Sequence, residues 1–283
     1  MTIIKRLFMT ALHIVCGIYI ILLANRINID LSFNIENEVL SRIEYFASYA
    51  IIAFLFVVIY TKIILRKPLK EIGLRLSMPK WNWIVIAFLL PISVLGFYIF
   101  FIDGQLVKLD ISKEEQGLLV LEAILLGLSS GFVEEMVFRG LIMRGIEAQW
   151  NKIVAIIVPS VCFGVGHMTQ IDTEDKVSTF LLFIGGTAVG IMFSVIAYKT
   201  GTIWANALVH AVWNMLLLGG IIEVKPMVES WSPSIFTYIP KTKNVLLTGG
   251  AFGIEVGLPA IIAYSIVTIY VCLESKNDEK HVM

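Results

Sequence analysis

Two adjacent glutamates followed by an arginine interrupt an otherwise apolar stretch, which reads Phe-Val-Glu-Glu-Met-Val-Phe-Arg from residue 132 to 139. In a helix, Glu135 and Arg139 are four residues apart on one face, the best spacing for an ion pair. Glu134 then points about 100° away and is left without that arginine. An unpaired carboxylate in apolar surroundings is a candidate general base. The alternative is that all three side chains form a buried structural cluster.

Two of the four histidines also lie in apolar segments beside other polar residues. His167 follows Phe163 by four residues, and His210 lies midway between Asn206 and Asn214. Residues at every fourth position share one helix face, so 206, 210 and 214 predict a polar stripe. Each histidine taken alone suits a hydrogen-bonded packing residue. Polar faces on three separate helices, however, favour one shared cavity.

The composition places these residues in a membrane protein. Hydrophobic residues make up 58% of the chain and charged residues 16%, which excludes a soluble globular domain. Lys plus Arg and Asp plus Glu are equal at 22 each, so no net charge favours a nucleic-acid partner. The chain also lacks a His-Glu-x-x-His zinc motif and a Walker loop. The expected surroundings are therefore the lipid bilayer.

Apolar runs near the roughly 20 residues that a spanning helix needs recur along the chain. They predict an all-α fold, a polytopic helical bundle of about eight transmembrane helices. Gly186 and Gly190, four residues apart, indicate close helix packing. No linker or repeat divides residues 1–283, so one membrane domain is expected. The predicted spans are 7–24, 45–65, 81–102, 118–138, 153–168, 179–198, 203–222 and 252–273.

The loops predict the orientation, because Lys and Arg accumulate on the cytoplasmic side of a membrane. An even number of spans puts both termini on one side. That side has the densest basic cluster, between Arg66 and Lys80, whereas the opposite loops are longer and richer in Asp and Glu. Both termini are therefore expected in the cytoplasm. The run 7–24 is too long for a signal peptide and is taken as the first span.

The predicted spans place Glu134 and His167 at different depths, and they leave the role of one outer loop open. Glu134 falls toward the cytoplasmic side and His167 toward the outer side, although a shared site needs similar depths. Either a span boundary is misplaced or the short segment with Pro159 does not cross fully. The outer loop 223–250, with Trp231, Phe236 and Tyr238, is expected at the membrane interface, where it could cover the site.

The ordered motifs resemble those of the CPBP, or Abi, family of membrane proteins, which includes the type II CAAX prenyl endopeptidases. That family shows Glu-Glu-x-x-x-Arg, then Phe-x-x-x-His, then His-x-x-x-Asn. The chain matches with Glu134, Glu135 and Arg139, then Phe163 and His167, then His210 and Asn214. Any one motif is weak, but the ordered trio in apolar helices is specific. Residues 115–220 would form the catalytic core.

The resemblance implies an intramembrane endopeptidase with an assigned role for each motif residue. Glu134 and His167 would activate the attacking water, and His210 and Asn214 would stabilise the oxyanion. Glu135 and Arg139 would support those residues, and Phe163 would pack beside His167.

The resemblance leaves the metal question open, because family members are often catalogued as metalloproteases. Glu134, His167 and His210 could supply three zinc ligands, with water as the fourth. A glutamate mechanism that requires no cofactor fits as well. We favour the metal-free mechanism, since the sequence shows no i, i+4 histidine pair and no obvious carboxylate behind either histidine.

The substrate expected from the resemblance is a small membrane-associated peptide or protein. Bacterial relatives are linked to bacteriocin self-immunity and peptide maturation, so a bacterial cell membrane is the expected location. Two alternatives remain: a non-cleaving immunity or binding protein with the same fold, and a proton-coupled transporter. The absence of an internal repeat argues against the transporter.

Overall fold

The computed structural model describes residues 2–31, 35–171, 174–225 and 234–281, with side chains described as far as residue 274. Trp231 lies outside the described residues. The α-helices are α1 Ile3–Leu31, α2 Glu38–Ile59, α3 Trp81–Phe101, α4 Lys113–Glu135, α5 Met143–Glu147, α6 Lys152–His167, α7 Lys176–Thr200, α8 Trp204–Leu217, α9 Val245–Thr248 and α10 Leu258–His281. Two π-helices, Tyr60–Leu65 and Met136–Ile142, continue α2 and α4, and 3-10 turns cover Leu69–Ile72, Met168–Gln170 and Ile254–Val256.

Side-chain caps explain where several of these helices begin. Asn37, Asn151 and Asp175 each accept a hydrogen bond from a backbone N–H in the first turn that follows. Ser112 forms a complete capping box with Glu115 at the start of α4. These caps satisfy N–H groups that have no partner inside the helix, so they fix the first residue of each helix locally.

Among the described residues, six helices are long and apolar enough to cross a bilayer: Ile3–Leu31, Glu38–Leu65, Trp81–Phe101, Lys113–Glu147, Lys152–Gln170 and Lys176–Thr200. Large apolar side chains lie exposed on their outer faces, such as Phe8 at 65% and Phe180 at 63%. Such a surface is unfavourable in water and favourable against lipid. The chain is therefore an integral membrane protein, and the predicted all-α polytopic bundle is confirmed.

The last two predicted spans are shorter than expected. Helix α8 ends at Leu217, not at 222, and its 14 residues extend about 21 Å, less than the roughly 30 Å hydrocarbon core. Gly220 follows with a φ of 74°, a left-handed conformation that a helix cannot continue through. Helix α10 begins at Leu258, not at 252, and its apolar part ends at Glu274. Helix α8 is nearly all buried, because it packs inside the bundle instead of facing lipid.

A small sheet that the sequence did not predict joins two loops at one end of the bundle. Strand β1, Gly104–Lys108, pairs antiparallel with β3, Phe236–Pro240, which pairs parallel with β2, Ile222–Val224. Tyr238 is buried, with its hydroxyl donating to the carbonyl of Ile102, so its side chain packs against protein, and the interfacial position of this loop stays a prediction. The sheet places the loops that follow α3 and α8 on the same side of the bundle.

The helix that carries Glu134 has different bounds from the predicted span. The helical run that contains Glu134 extends over Lys113–Glu147, 35 residues, whereas the sequence predicted only 118–138. Glu134 therefore lies in the interior of a long helix. Helix α6 has 16 residues, about 24 Å, and ends at His167. The two side chains reach the same cavity, described below.

Small residues bring these helices into close contact. A Cβ on Gly131 would lie 2.7 Å from the backbone nitrogen of Ala211, so α4 and α8 touch backbone to backbone. A Cβ on Gly190 would lie 2.8 Å from the Cα of Ser160, which joins α7 to α6 in the same way. Gly186, four residues before Gly190, meets Gly164. The prediction that Gly186 and Gly190 mark helix packing is thus confirmed.

The sheet leads to a test of topology. Lys70, Lys108 and Lys241 are exposed, and each can be replaced by a single cysteine in a chain without its three native cysteines. Because β1 and β3 pair, cysteines at Lys108 and Lys241 should be labelled by an impermeant maleimide from the same side, and one at Lys70 from the other. From the loop charges we expect the Lys70 side to be cytoplasmic. External labelling of Lys70 in intact cells would reverse the orientation.

Candidate active site

A cavity of about 380 Å³ lies between α4, α6, α7 and α8. Glu134 lines it from α4, His167 from α6, and His210 and Asn214 from α8. The four side chains that the sequence singled out therefore face one enclosed space, although they come from three helices. Their chemical roles are proposals, taken up below.

The carboxylate of Glu135 is the most highly connected group beside this cavity. It is fully buried and accepts a hydrogen bond from Arg139 Nη1 at 2.8 Å and another from His210 Nδ1 at 3.0 Å. Its second oxygen accepts from Asn206 Nδ2. Three donors therefore converge on this one carboxylate and fix its position.

Arg139 is equally buried and extends the same network to α7. Its Nη2 donates to the carbonyl oxygen of Gly190 at 3.0 Å. The guanidinium also lies over the rings of Phe163 and Phe193, 4.8 and 5.1 Å from their centroids. The ion pair expected from the spacing is thus present, and two aromatic faces stabilise its cation.

Glu134 differs from its neighbour in its surroundings. Its side chain is 23% exposed, and Oε2 has no hydrogen-bond partner among the described residues. The nearest ring nitrogen is Nε2 of His210, 3.9 Å away, which is too far for a hydrogen bond. Glu134 and His210 therefore lie side by side in the cavity wall without a direct hydrogen bond. Glu135 thus has a donor on each oxygen, whereas Glu134 Oε2 has none. Helix geometry predicted this difference between the two glutamates.

The hydrogen bonds fix which nitrogen of each histidine is available. His167 Nδ1 lies 2.9 Å from the carbonyl oxygen of Phe163. Since a carbonyl only accepts, Nδ1 carries the proton and Nε2 has a free lone pair when the ring is neutral. His210 Nδ1 likewise donates to Glu135, which directs Nε2 toward Glu134. The Phe163 ring packs on His167 with centroids 4.5 Å apart, as expected.

Asn214 contributes an amide donor at the wall of the cavity. One of its Nδ2 hydrogens is donated to Ser130 Oγ at 2.9 Å, which orients the amide. An amide nitrogen has two hydrogens, so the second can meet a substrate oxygen. Ser130 lies one helical turn before Glu134 and also lines the cavity.

Some residues of the network were not among the predicted site residues. Ser130 could have been found from helical spacing, because it lies four residues before Glu134, whereas Asn206 was predicted in the polar stripe but was given no role. Phe193 carries no such signal, since its contact with Arg139 depends on how α7 packs. Residues 127–131 spell Gly-x-Ser-x-Gly, the pattern of a nucleophile elbow. They lie inside α4, without the strand-to-helix turn that exposes such a serine.

The candidate zinc ligands do not form a metal site. Within the described residues no group of three or more His, Cys, Asp and Glu side chains is arranged to hold a metal ion. Zinc therefore takes no part in the reaction proposed below. One reason given for the metal-free mechanism was nevertheless wrong: Glu135 is a carboxylate directly behind His210. Sequence spacing missed it because the two residues lie on different helices.

The fold and the cavity define an integral membrane helical bundle with an acid- and histidine-lined site. Residues 116–216 match the model of the family described as Type II CAAX prenyl endopeptidase Rce1-like. This segment contains all three motifs, and the match confirms the resemblance drawn from them. At the family level it supports a CAAX-protease-like membrane endopeptidase. No curated protein is similar enough to this chain to count as a match.

Exchanging each glutamate for glutamine should separate their roles. Glu135→Gln leaves the fully buried Arg139 without a counter-charge, so the free energy of unfolding should fall by about 3 kcal/mol. Glu134→Gln removes no side-chain hydrogen bond within the described residues and should unfold at the wild-type temperature. Thermal unfolding in detergent, followed by circular dichroism, measures both. Wild-type stability for Glu135→Gln together with a loss for Glu134→Gln would reverse the assignment.

Proposed function

We propose that this protein is an intramembrane endopeptidase that hydrolyses a peptide bond with a glutamate-activated water. The observation that carries the proposal is the pair of adjacent glutamates with opposite surroundings. Glu135 is saturated by three donors, whereas Glu134 lines a cavity shared with two histidines, and its buried Oε2 has no hydrogen-bond partner among the described residues. A base needs a free lone pair close to the bound water, and Glu134 has one.

The reaction begins with water bound between Glu134 and His167. Glu134 takes one proton from the water, and His167 Nε2 accepts a hydrogen bond from the other hydrogen. The water oxygen attacks the carbonyl carbon and forms a tetrahedral intermediate with its charge on the former carbonyl oxygen. When the C–N bond breaks, the proton held by Glu134 passes to the leaving nitrogen, so the products are one carboxyl and one amine.

His210 and Asn214 face the position where the negative charge develops. Asn214 offers its second amide hydrogen, and His210 donates through Nε2 when its ring is doubly protonated. The ring is stacked on Phe193 with centroids 4.8 Å apart and is held by its hydrogen bond to Glu135. Donors fixed in this way need no reorganisation as the oxyanion forms.

The substrate class follows from the position of the cavity inside a membrane protein. We expect a small membrane-associated peptide or protein segment, cleaved at the bacterial cell membrane in bacteriocin self-immunity or in peptide maturation. The observation that supports a membrane substrate is that three of the helices lining the cavity, α4, α6 and α7, belong to segments long enough to span the bilayer.

The activity test uses purified protein in detergent, candidate membrane peptides and mass spectrometry of the products. Glu134→Gln should abolish cleavage, because it keeps the shape of the side chain and removes the base. His210→Ala should lower kcat by roughly 10²–10³, the usual effect of removing one oxyanion donor.

Glu114→Gln is the matched control, since Glu114 is an exposed acid in the first turn of α4. It should cleave at the wild-type rate. Full activity in Glu134→Gln would refute the mechanism. Tight peptide binding by the wild type without any product would favour the non-cleaving binding protein.

Chelation decides between the two mechanisms that the resemblance left open. In the glutamate mechanism, EDTA or phenanthroline should leave the rate unchanged, and excess Zn²⁺ should inhibit by occupying Glu134 and the histidines. A zinc enzyme would lose activity with its metal and regain it on addition of Zn²⁺. Elemental analysis that finds one tightly held zinc per chain, lost in His210→Ala, would overturn the metal-free proposal.

A further inference from the structure

A second carboxyl group lines the cavity from the side of the small sheet. Glu255 belongs to the 3-10 turn Ile254–Val256, just before α10 and outside the candidate membrane spans. Its backbone carbonyl accepts a hydrogen bond from the Tyr264 hydroxyl at 3.0 Å. Both neighbours, Ile254 and Val256, are buried, so the turn is anchored on either side of Glu255. Glu255 therefore lines the cavity from an anchored turn.

The charges around Glu255 are mostly negative or neutral. Glu223 of β2 acts on it as a second negative charge, and Glu223 is itself paired with Lys225 at 2.6 Å. Tyr264 faces it from α10, and Tyr98 of α3 interacts with Tyr264 in turn. The other titratable groups of the cavity are Glu134, His167 and His210. No described residue that lines the cavity is a lysine or an arginine.

This environment makes the ionised form of Glu255 costly without a partner. Burial, together with the smaller effect of the Glu223 charge, raises the pKa of Glu255 to about 8. A cation that entered this end of the cavity would favour the ionised carboxyl and pair with it. A substrate carboxylate would instead meet two glutamates and no described lysine or arginine side chain in the lining. This end of the cavity therefore favours a cationic group over an anionic one.

We propose that Glu255 is a specificity-determining residue, whose end of the cavity binds a cationic group of the substrate, either a Lys or Arg side chain or a free amine. This inference rests on the proposed peptidase function and narrows its substrate class. Glu134 would cleave the bond, while Glu255 would select which peptide is held across it. The two carboxyls thus have separate tasks in one cavity.

The test compares matched peptides that differ at one position, with lysine, norleucine or glutamate moved along the sequence around the scissile bond. For the wild type, kcat/KM should be at least about tenfold higher for lysine than for norleucine at one position, because a desolvated charge pair contributes strongly to binding. The ratio should rise as the pH passes upward through about 8, where Glu255 ionises while lysine keeps its charge. It should fall toward one at lower pH.

Charge variants make the assignment specific. Glu255→Gln should reduce the lysine-to-norleucine ratio to about one at every pH, and Glu255→Lys should prefer the glutamate peptide. Glu114→Gln, remote from the cavity, should keep the wild-type ratio and its pH dependence. A folded Glu255→Gln variant that keeps the lysine preference, or a wild type without any preference, would overturn the proposal.

Failure of the peptidase function would give a different result. If no peptide is cleaved, calorimetric titration of the lysine and norleucine peptides still tests the subsite. Tighter binding of the lysine peptide, lost in Glu255→Gln, would support the cationic subsite while the peptidase proposal fails. Equal affinities would refute the subsite as well.

Discussion

A carboxylate and a guanidinium that are both removed from water must satisfy each other, and Glu135 and Arg139 do so at the centre of the bundle. Neither group is left with a single partner. The arginine reaches the carbonyl of Gly190 on α7, and the glutamate accepts from His210 on α8. Phe163 adds a ring from α6. One ion pair thus ties together the four helices that enclose the cavity, and loss of either charge would leave the other buried without compensation.

The same pair explains how two adjacent glutamates come to differ. Helix geometry directs Glu135 to the arginine and Glu134 about 100° away, toward the cavity. The π-helix Met136–Ile142 begins directly after them, and such local widening of a helix is common at functional sites. In the proposed reaction the saturated glutamate orients His210, while the available one receives a proton. The two glutamates could not exchange these roles without breaking the buried ion pair between Glu135 and Arg139.

The membrane sets the requirements for the rest of the structure. Polar side chains inside a bilayer are favourable only where protein or a wet cavity satisfies them, and the motif residues face inward for that reason. Long apolar helices supply the outer wall. Helix α8, which carries His210 and Asn214, is too short to span the bilayer. It packs among the other helices instead of facing lipid. At one end of the bundle, β1–β3 join two loops, and Glu255 enters the cavity from the same side.

The sequence predicted those features that depend on the regular geometry of a single helix. The pair Glu135–Arg139 and the stripe of 206, 210 and 214 follow from 3.6 residues per turn, so the sequence alone determined them, together with the helical class and the membrane setting. Only the tertiary structure decided that Glu135 holds His210, 75 residues away, and that Glu255 shares the cavity. The physical reason is that contacts between helices depend on how small residues such as Gly131 and Gly190 let backbones approach. The spacing of residues along one helix does not show how that helix packs against the others.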